Sequence, residues 1–206
     1  MFLRMSSFKA LIKNAWQGTG LTVGNNGEGI YLMGSYWTIW LERSGMTKKT
    51  KAAIVELAGE LPGVGEVFRC WKGQDNQYEL EETKDEDFYN PNVYGFETRY
   101  KDTGIVFSDL GRNGRILQNV RNLKCVLIPE FIHEMIDMQS MEKDEFYPEG
   151  PKGRFTQIIN TDMIFWQNEF CTLGCMTTTI VPDSKESFVM KGLQKYNFNE
   201  NRVEEE

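Results

Sequence analysis

Residues 28–42 read EGIYLMGSYWTIWLE, and how this stretch folds decides how the rest of the chain is organised. Tyr36, Thr38 and Trp40 alternate with Trp37, Ile39 and Leu41, so β-forming side chains occupy both faces. A strand that is apolar on both faces belongs in the middle of a sheet, covered on each side. Before it lies GTGLTVGNNGEG, where Asn26-Gly27 suits a tight hairpin turn. After it, TKKTKAAIVELAGEL (47–61) changes to helical spacing through Ile54, Leu57, Ala58 and Leu61, and Pro62-Gly63 marks its stop.

The same two periods recur outward from this core. Phe8, Leu11, Ile12, Ala15 and Trp16 predict an amphipathic helix near the start, with Ser6 or Ser7 as its cap. GEVFRCWKG (65–73) reads as a strand, and FETRYKDTGIVFSDL (96–110) as one or two strands around Asp102–Gly104. Asn113-Gly114 marks a turn, RILQNVRNL (115–123) a short helix, and KCVLI (124–128) a buried strand ending at Pro129. EFIHEMIDM (130–138) favours a helix through Phe131, Ile132, Met135 and Ile136.

The last unit is TDMIFWQNEF, then CTLGCMTTTIV, then a helix from Asp183 with Phe188, Val189, Leu193 and Tyr196 inward. Asp183 and Glu186 stand at capping-box spacing. Its strand–strand–helix order repeats that of residues 28–61, as a decayed duplication would. The expected fold is α+β, with a mostly antiparallel sheet or sheets and helices packed on them. Residues 1–206 form one domain, or subdivide into 1–75 and 90–206 around the acidic stretch 79–89.

Composition bounds function before any motif does. A chain of 206 residues, 40% hydrophobic and 13% aromatic, can bury a sizeable core. No apolar run approaches the ~20 residues of a membrane helix, so no membrane partner is expected. The start, MFLRMSSFKALIKNAW, places Lys9 and Lys13 where a signal peptide needs its apolar centre; it reads as the first helix of a cytoplasmic protein. Four cysteines do not make a disulfide framework at this length.

Net charge is −7, distributed unevenly: residues 1–75 hold 9 basic and 6 acidic side chains, and residues 76–206 hold 14 and 24. The acidity is densest in YELEETKDEDFYNPNVYGFE (78–97). There Glu79, Glu81, Glu82, Asp85, Glu86 and Asp87 face only Lys84, and Phe88, Tyr89, Tyr94 and Phe96 follow. On an extended strand, residues two apart lie about 6.6 Å from each other, roughly the phosphate spacing along one nucleic-acid strand. The block could thus present carboxylates to the Lys/Arg groove of a nucleic-acid-binding protein, with aromatics as anchors. The plainer reading is a solvated loop.

Candidate chemistry elsewhere is sparse. The glycines of 18–29 follow a helix and precede a strand, the reverse of a dinucleotide loop. His133-Glu134 opens like a zinc motif, but position 137 is Asp137, so the second histidine is missing. His133 and Asp137 could still meet at i, i+4 as a base and its partner; the plainer reading is a structural histidine. Cys171 and Cys175 in CTLGC would sit about 13 Å apart on one face of a strand, too far for one ion, and read as small hydrophobes; neither they nor Cys70 and Cys125 call for a metal. Arg112, Arg115, Arg121 and Lys124, with no acid from 110 to 129, could touch phosphates or pair with nearby acids.

No catalytic motif or cofactor fingerprint emerges. The expectation is therefore a non-enzymatic acidic module that inhibits or modulates a basic nucleic-acid-binding protein or nuclease, without binding nucleic acid directly. In general character the profile resembles accessory proteins of phages and mobile elements, including those that block CRISPR or other nucleases; that likeness touches no particular residue. The alternatives are a structural or assembly component, and a small enzyme using His133 with Asp137 or a cysteine.

Overall fold

The computed structural model describes residues 1–78, 98–142, 149–156 and 161–198, and shows an α+β protein whose strand pairs are antiparallel throughout the registers described. The chain divides into two compact units that interleave in sequence. The first comprises 1–95, 135–149 and 166–174, and the second 96–134, 150–165 and 175–206. No described helix is long and apolar enough to cross a membrane.

In the first unit, β1 (Leu21–Asn25), β2 (Gly29–Met33) and β3 (Trp37–Glu42) form a meander. β4 (Val67–Cys70) and then β5 (Gln77–Tyr78) add on its β1 side, and β11 (Cys171–Met176) adds beside β3. Asn26-Gly27 makes the expected hairpin: Asn26 Oδ1 accepts from the backbone N–H of Glu28 and Gly29, and Gly27 takes φ +90°. Phe68, Val23, Leu32 and Ile39 stand opposite one another across four strands, and each is completely buried. On the other face Val67, Gly24, Tyr31 and Trp40 form the adjoining row. Gly24 is required there, because a Cβ would stand 2.0 Å from the Tyr31 ring. The double-sided apolar pattern of residues 28–42 thus places β2 and β3 inside the sheet, with Gly34–Tyr36 as their turn.

Two helices pack in this unit. α1 (Met5–Gln17) buries Phe8, Leu11, Ile12 and Ala15, and α2 (Lys48–Ala58) buries Thr50, Ala53, Ile54 and Ala58. Ser6 and Ser7 lie within α1 rather than capping it. Arg4 is the N-cap, its side chain making no capping bond to the helix, and the chain's entry is fixed by Arg4 N–H donating to Met135 O and by a Leu3–Ile136 bridge. Thr47 caps α2, accepting from Thr50 N–H, and Gly59 at φ +80° ends it before Pro62-Gly63 is reached.

In the second unit β6 (Thr98–Asp109), β7 (Arg112–Asn119) and β8 (Cys125–Pro129) form a meander, with β9 (Glu149–Thr156) on the far side of β6. β10 (Thr161–Asn168) contributes residues to both units. α3 (Glu130–Glu134) follows β8, and α4 (Met138–Glu142) belongs to the first unit. α5 (Lys185–Leu193) lays Met190, Val189 and Leu193 against Ile116, Cys125 and Leu127.

Three local expectations change here. Residues 115–119 are strand, not helix. The β6–β7 turn falls at Leu110-Gly111, both at positive φ, while Asn113-Gly114 lies inside β7. The cap of α5 is Ser184, which accepts from Ser187 N–H; Asp183 stands before it at φ +60°, and Phe188 and Tyr196 point outward at 63% and 64% exposure.

Candidate functional site

The acidic block is reached from a sheet edge. β5 pairs with β4 through Phe68–Tyr78 and Arg69–Gln77, and its other side carries no strand among the described residues. The Tyr78 ring meets Phe68 edge-on at 5.4 Å between centroids, and its hydroxyl donates to Glu60 Oε1 at 2.6 Å. Asn76 Nδ2 donates to Ala58 O and to the same Glu60 oxygen, so the end of α2 and the edge strand are tied together. The bond to Glu60, partial burial, and the charges of Glu60 and Glu66 all push the Tyr78 phenol above its ordinary range. Glu60 and Glu66 thus bring negative charge close to Tyr78, just before residue 79. Glu79, Glu81, Glu82, Asp85, Glu86, Asp87, Phe88 and Tyr89 themselves lie outside the described residues, as do Tyr94 and Phe96.

A second charged group forms in the second unit, and it changes the reading of His133. α3 ends at Glu134, so His133 and Asp137 do not share a helix face. Asp137 instead accepts from Ser140 at the start of α4. His133 Nε2 stands 3.0 Å from Asp102 Oδ2. Asp102 pairs with Leu117 of β7, at the last regular position before the β6 register jumps to Val106. Gly104 at φ +73° donates its N–H to Asp102 Oδ1, and Thr103 Oγ1 donates to Ile116 O. Arg115, on β7, completes the group: it donates to Glu130 Oε2 at 2.9 Å and Oε1 at 2.6 Å, and lies 3.8 Å from Asp102 Oδ1.

Burial tends to raise the Asp102 carboxyl. The hydrogen bonds from His133 and Gly104, with the charges of His133 and Arg115, outweigh it and hold the group below its ordinary range. A carboxylate–imidazole pair can in principle move a proton. Here it is one end of the chain Glu130–Arg115–Asp102–His133, which ties β6, β7 and α3 together.

The remaining candidates separate. Arg115 is neutralised by Glu130, Arg112 opens β7, and Arg121 and Lys124 lie in the turn beyond its far end, so the basic block is not one patch. Cys171 and Cys175 occupy one face of β11, both completely buried; burial pushes the Cys171 thiol up to about 12 and the Cys175 thiol up as well. Among the described residues no group of three or more His, Cys, Asp and Glu could hold a metal ion. Asp102 and Glu130 escaped sequence reading because their partners are 31 and 15 positions away. The one local signal was the Asp-Thr-Gly run at 102–104.

No family profile matches the chain, and no curated protein matches it in sequence. Solved structures similar in fold include a protein assigned as a DNA polymerase III beta subunit from Eubacterium rectale, at 11% identity and TM-score 0.38, covering 91% of this chain and 67% of that one. The beta subunit from DNA polymerase of Streptococcus pyogenes gives 11%, 0.31, 88% and 64%. A sliding clamp (DNA polymerase III subunit beta) from Bartonella birtlesii bound to griselimycin gives 9%, 0.34, 88% and 65%. The chain spans about two thirds of the length of each, and scores this low carry nothing about what it binds.

Proposed function

We propose that this chain is a non-enzymatic, cytoplasmic binding module that engages a basic nucleic-acid-handling protein, such as a nuclease, through an acidic face beginning at the β5 edge, and so inhibits or modulates it. The observation that carries this reading is the footing at Tyr78. Glu60 and Glu66 bring negative charge to Tyr78, and the sequence continues directly into six carboxylates and four aromatics over 79–96. A partner built to bind phosphates would meet a dense run of negative charge in that sequence, with aromatic side chains beside it to bury at a contact. A net charge of −7 steers such a partner in and repels nucleic acid itself.

The test is capture from nuclease-treated lysate on the immobilised chain, beside a variant with Glu81, Glu82, Asp85 and Asp87 replaced by Lys. The wild-type chain should retain a basic nucleic-acid-binding protein that rising salt or added nucleic acid releases, and the variant should lose it. Retention unchanged by the reversal would refute the reading.

A further inference from the structure

Gln118 is a polar side chain with no solvent exposure, set in β7 on the face that α5 covers, opposite Cys125. Its amide is used at both ends on one short piece of chain. Nε2 donates to Tyr196 O at 2.8 Å, and Oε1 accepts from Phe198 N–H at 3.0 Å. The second Nε2 hydrogen has Leu123 O at 3.3 Å, with Leu193 O at 3.5 Å and Cys125 Sγ at 3.9 Å nearby. Flipping the amide would set its oxygen against the Tyr196 carbonyl and its nitrogen against the Phe198 N–H, so only this orientation satisfies both. A strand residue in parallel pairing does the same: it donates to the carbonyl before its partner residue and accepts from the N–H after it. Gln118 therefore reads the backbone around Asn197 and none of its side chains.

We infer that the Gln118 amide, with the floor formed by Leu123 and Cys125, is a binding site for peptide backbone, and that residues 196–198 of this chain occupy it in exchange with an open state. The occupant is lightly held. Tyr196 is 64% exposed, and Asn197 and Phe198 are only half-buried. The segment follows α5 and buries little of its own apolar surface, so local opening uncovers little. An opened site would present an amide donor and acceptor spaced for the carbonyl and N–H of another peptide backbone, so main-chain hydrogen bonds would hold a peptide there. The inference does not rest on the acidic face.

The test supplies the segment in trans. A chain ending at Lys195 is titrated into a fluorescein-labelled peptide of residues 194–206, and anisotropy is followed. Saturable binding is expected to the shortened chain, at least tenfold weaker binding to the full chain, and at least tenfold loss with Gln118→Leu in the shortened chain or with N-methylated Phe198 in the peptide. No saturable binding by a folded shortened chain, or binding indifferent to both changes, overturns the inference. Should the shortened chain not fold, hydrogen exchange on the full chain decides. Residues 194–198 should exchange at least tenfold faster than β7 and β8 and independently of low urea; exchange only together with those strands overturns it.

Discussion

Replacing Arg115 by methionine keeps the length of the side chain on β7 and removes its charge from Glu130. The Arg115 and Glu130 side chains are 16% and 12% exposed, so the pair is largely withdrawn from water, and two hydrogen bonds at 2.6 and 2.9 Å join them. Removing one partner of a buried pair leaves the other charge uncompensated, at a cost of roughly 3–5 kcal/mol; the residual exposure places this one at about 3 kcal/mol. Asp102 loses its contact at 3.8 Å but keeps His133 and Gly104, so it adds little. For a chain of this size about 2–4 °C of melting temperature corresponds to 1 kcal/mol, which gives a fall of roughly 6–12 °C. The companion variant Arg115→Met/Glu130→Leu removes both charges and should recover to within about 1 kcal/mol of wild type. Calorimetry and urea titration of wild type, both single variants and the double variant provide the cycle. A single Arg115→Met variant that loses less than about 1 kcal/mol, or a double variant less stable than either single, would refute the view that this pair is a desolvated lock.

Asp102 sets an acid limit on the second unit. Its folded pKa lies below the ordinary value, so its stabilisation is full above the unfolded carboxylate value of about 4 and is lost as pH falls through the lower folded value. Asp102→Asn should therefore be less stable than wild type at neutral pH, with the gap closing on acidification; a gap constant across an acid melting series would exclude this account. Duplex DNA or RNA at micromolar protein and moderate salt should give no mobility shift, because Arg115 is neutralised by Glu130 and the field of residues 76–206 is negative. A clear shift abolished by Arg112→Ala would promote the basic block over the acidic face.

What the sequence revealed of the fold follows from where local pattern and tertiary packing agree. Residues 28–42 were legible because both faces of β2 and β3 are buried, so every second position and its neighbour carry the same message. The β6–β7 hairpin was misplaced because Asn113-Gly114 imitates a turn. Gly114 is there for packing instead: a Cβ would stand 2.6 Å from Leu127 Cδ1. The turn is Leu110-Gly111, where Leu110 accepts φ +47° despite its branched side chain. Residues 115–123 imitated a helix through Ile116, Leu117, Val120 and Leu123. The polar pair between them has its own uses, Gln118 for residues 196–198 and Asn119 for the turn that follows, where Asn119 Oδ1 accepts from Arg121 and Asn122 N–H. The Asn119 bonds are local, to residues two and three positions on, but the Gln118 use has no local signature.

The candidate sites divide along the same line. The acidic block was legible because charge density is a property of consecutive residues, and its footing is a matter of Tyr78, Asn76 and Glu60, 18 and 16 positions apart. The His133 group was legible only in part. A lone histidine invites a partner at helical spacing, yet α3 stops after one turn and the carboxylate comes from β6, two strands away across β7. The irregularity at Thr103–Ile105 begins just after Asp102, which still pairs with Leu117, and its Gly104 N–H holds the Asp102 carboxylate in place. Against the effect of burial, Asp102 is held below its ordinary range by His133, Gly104 and Arg115, of which only Gly104 is near in sequence. Deleting Thr103 and Gly104, two of the three residues that face Ile116 alone, should therefore straighten β6 and remove the Gly104 N–H from Asp102, while leaving the Arg115–Glu130 pair, which belongs to β7 and α3, in place.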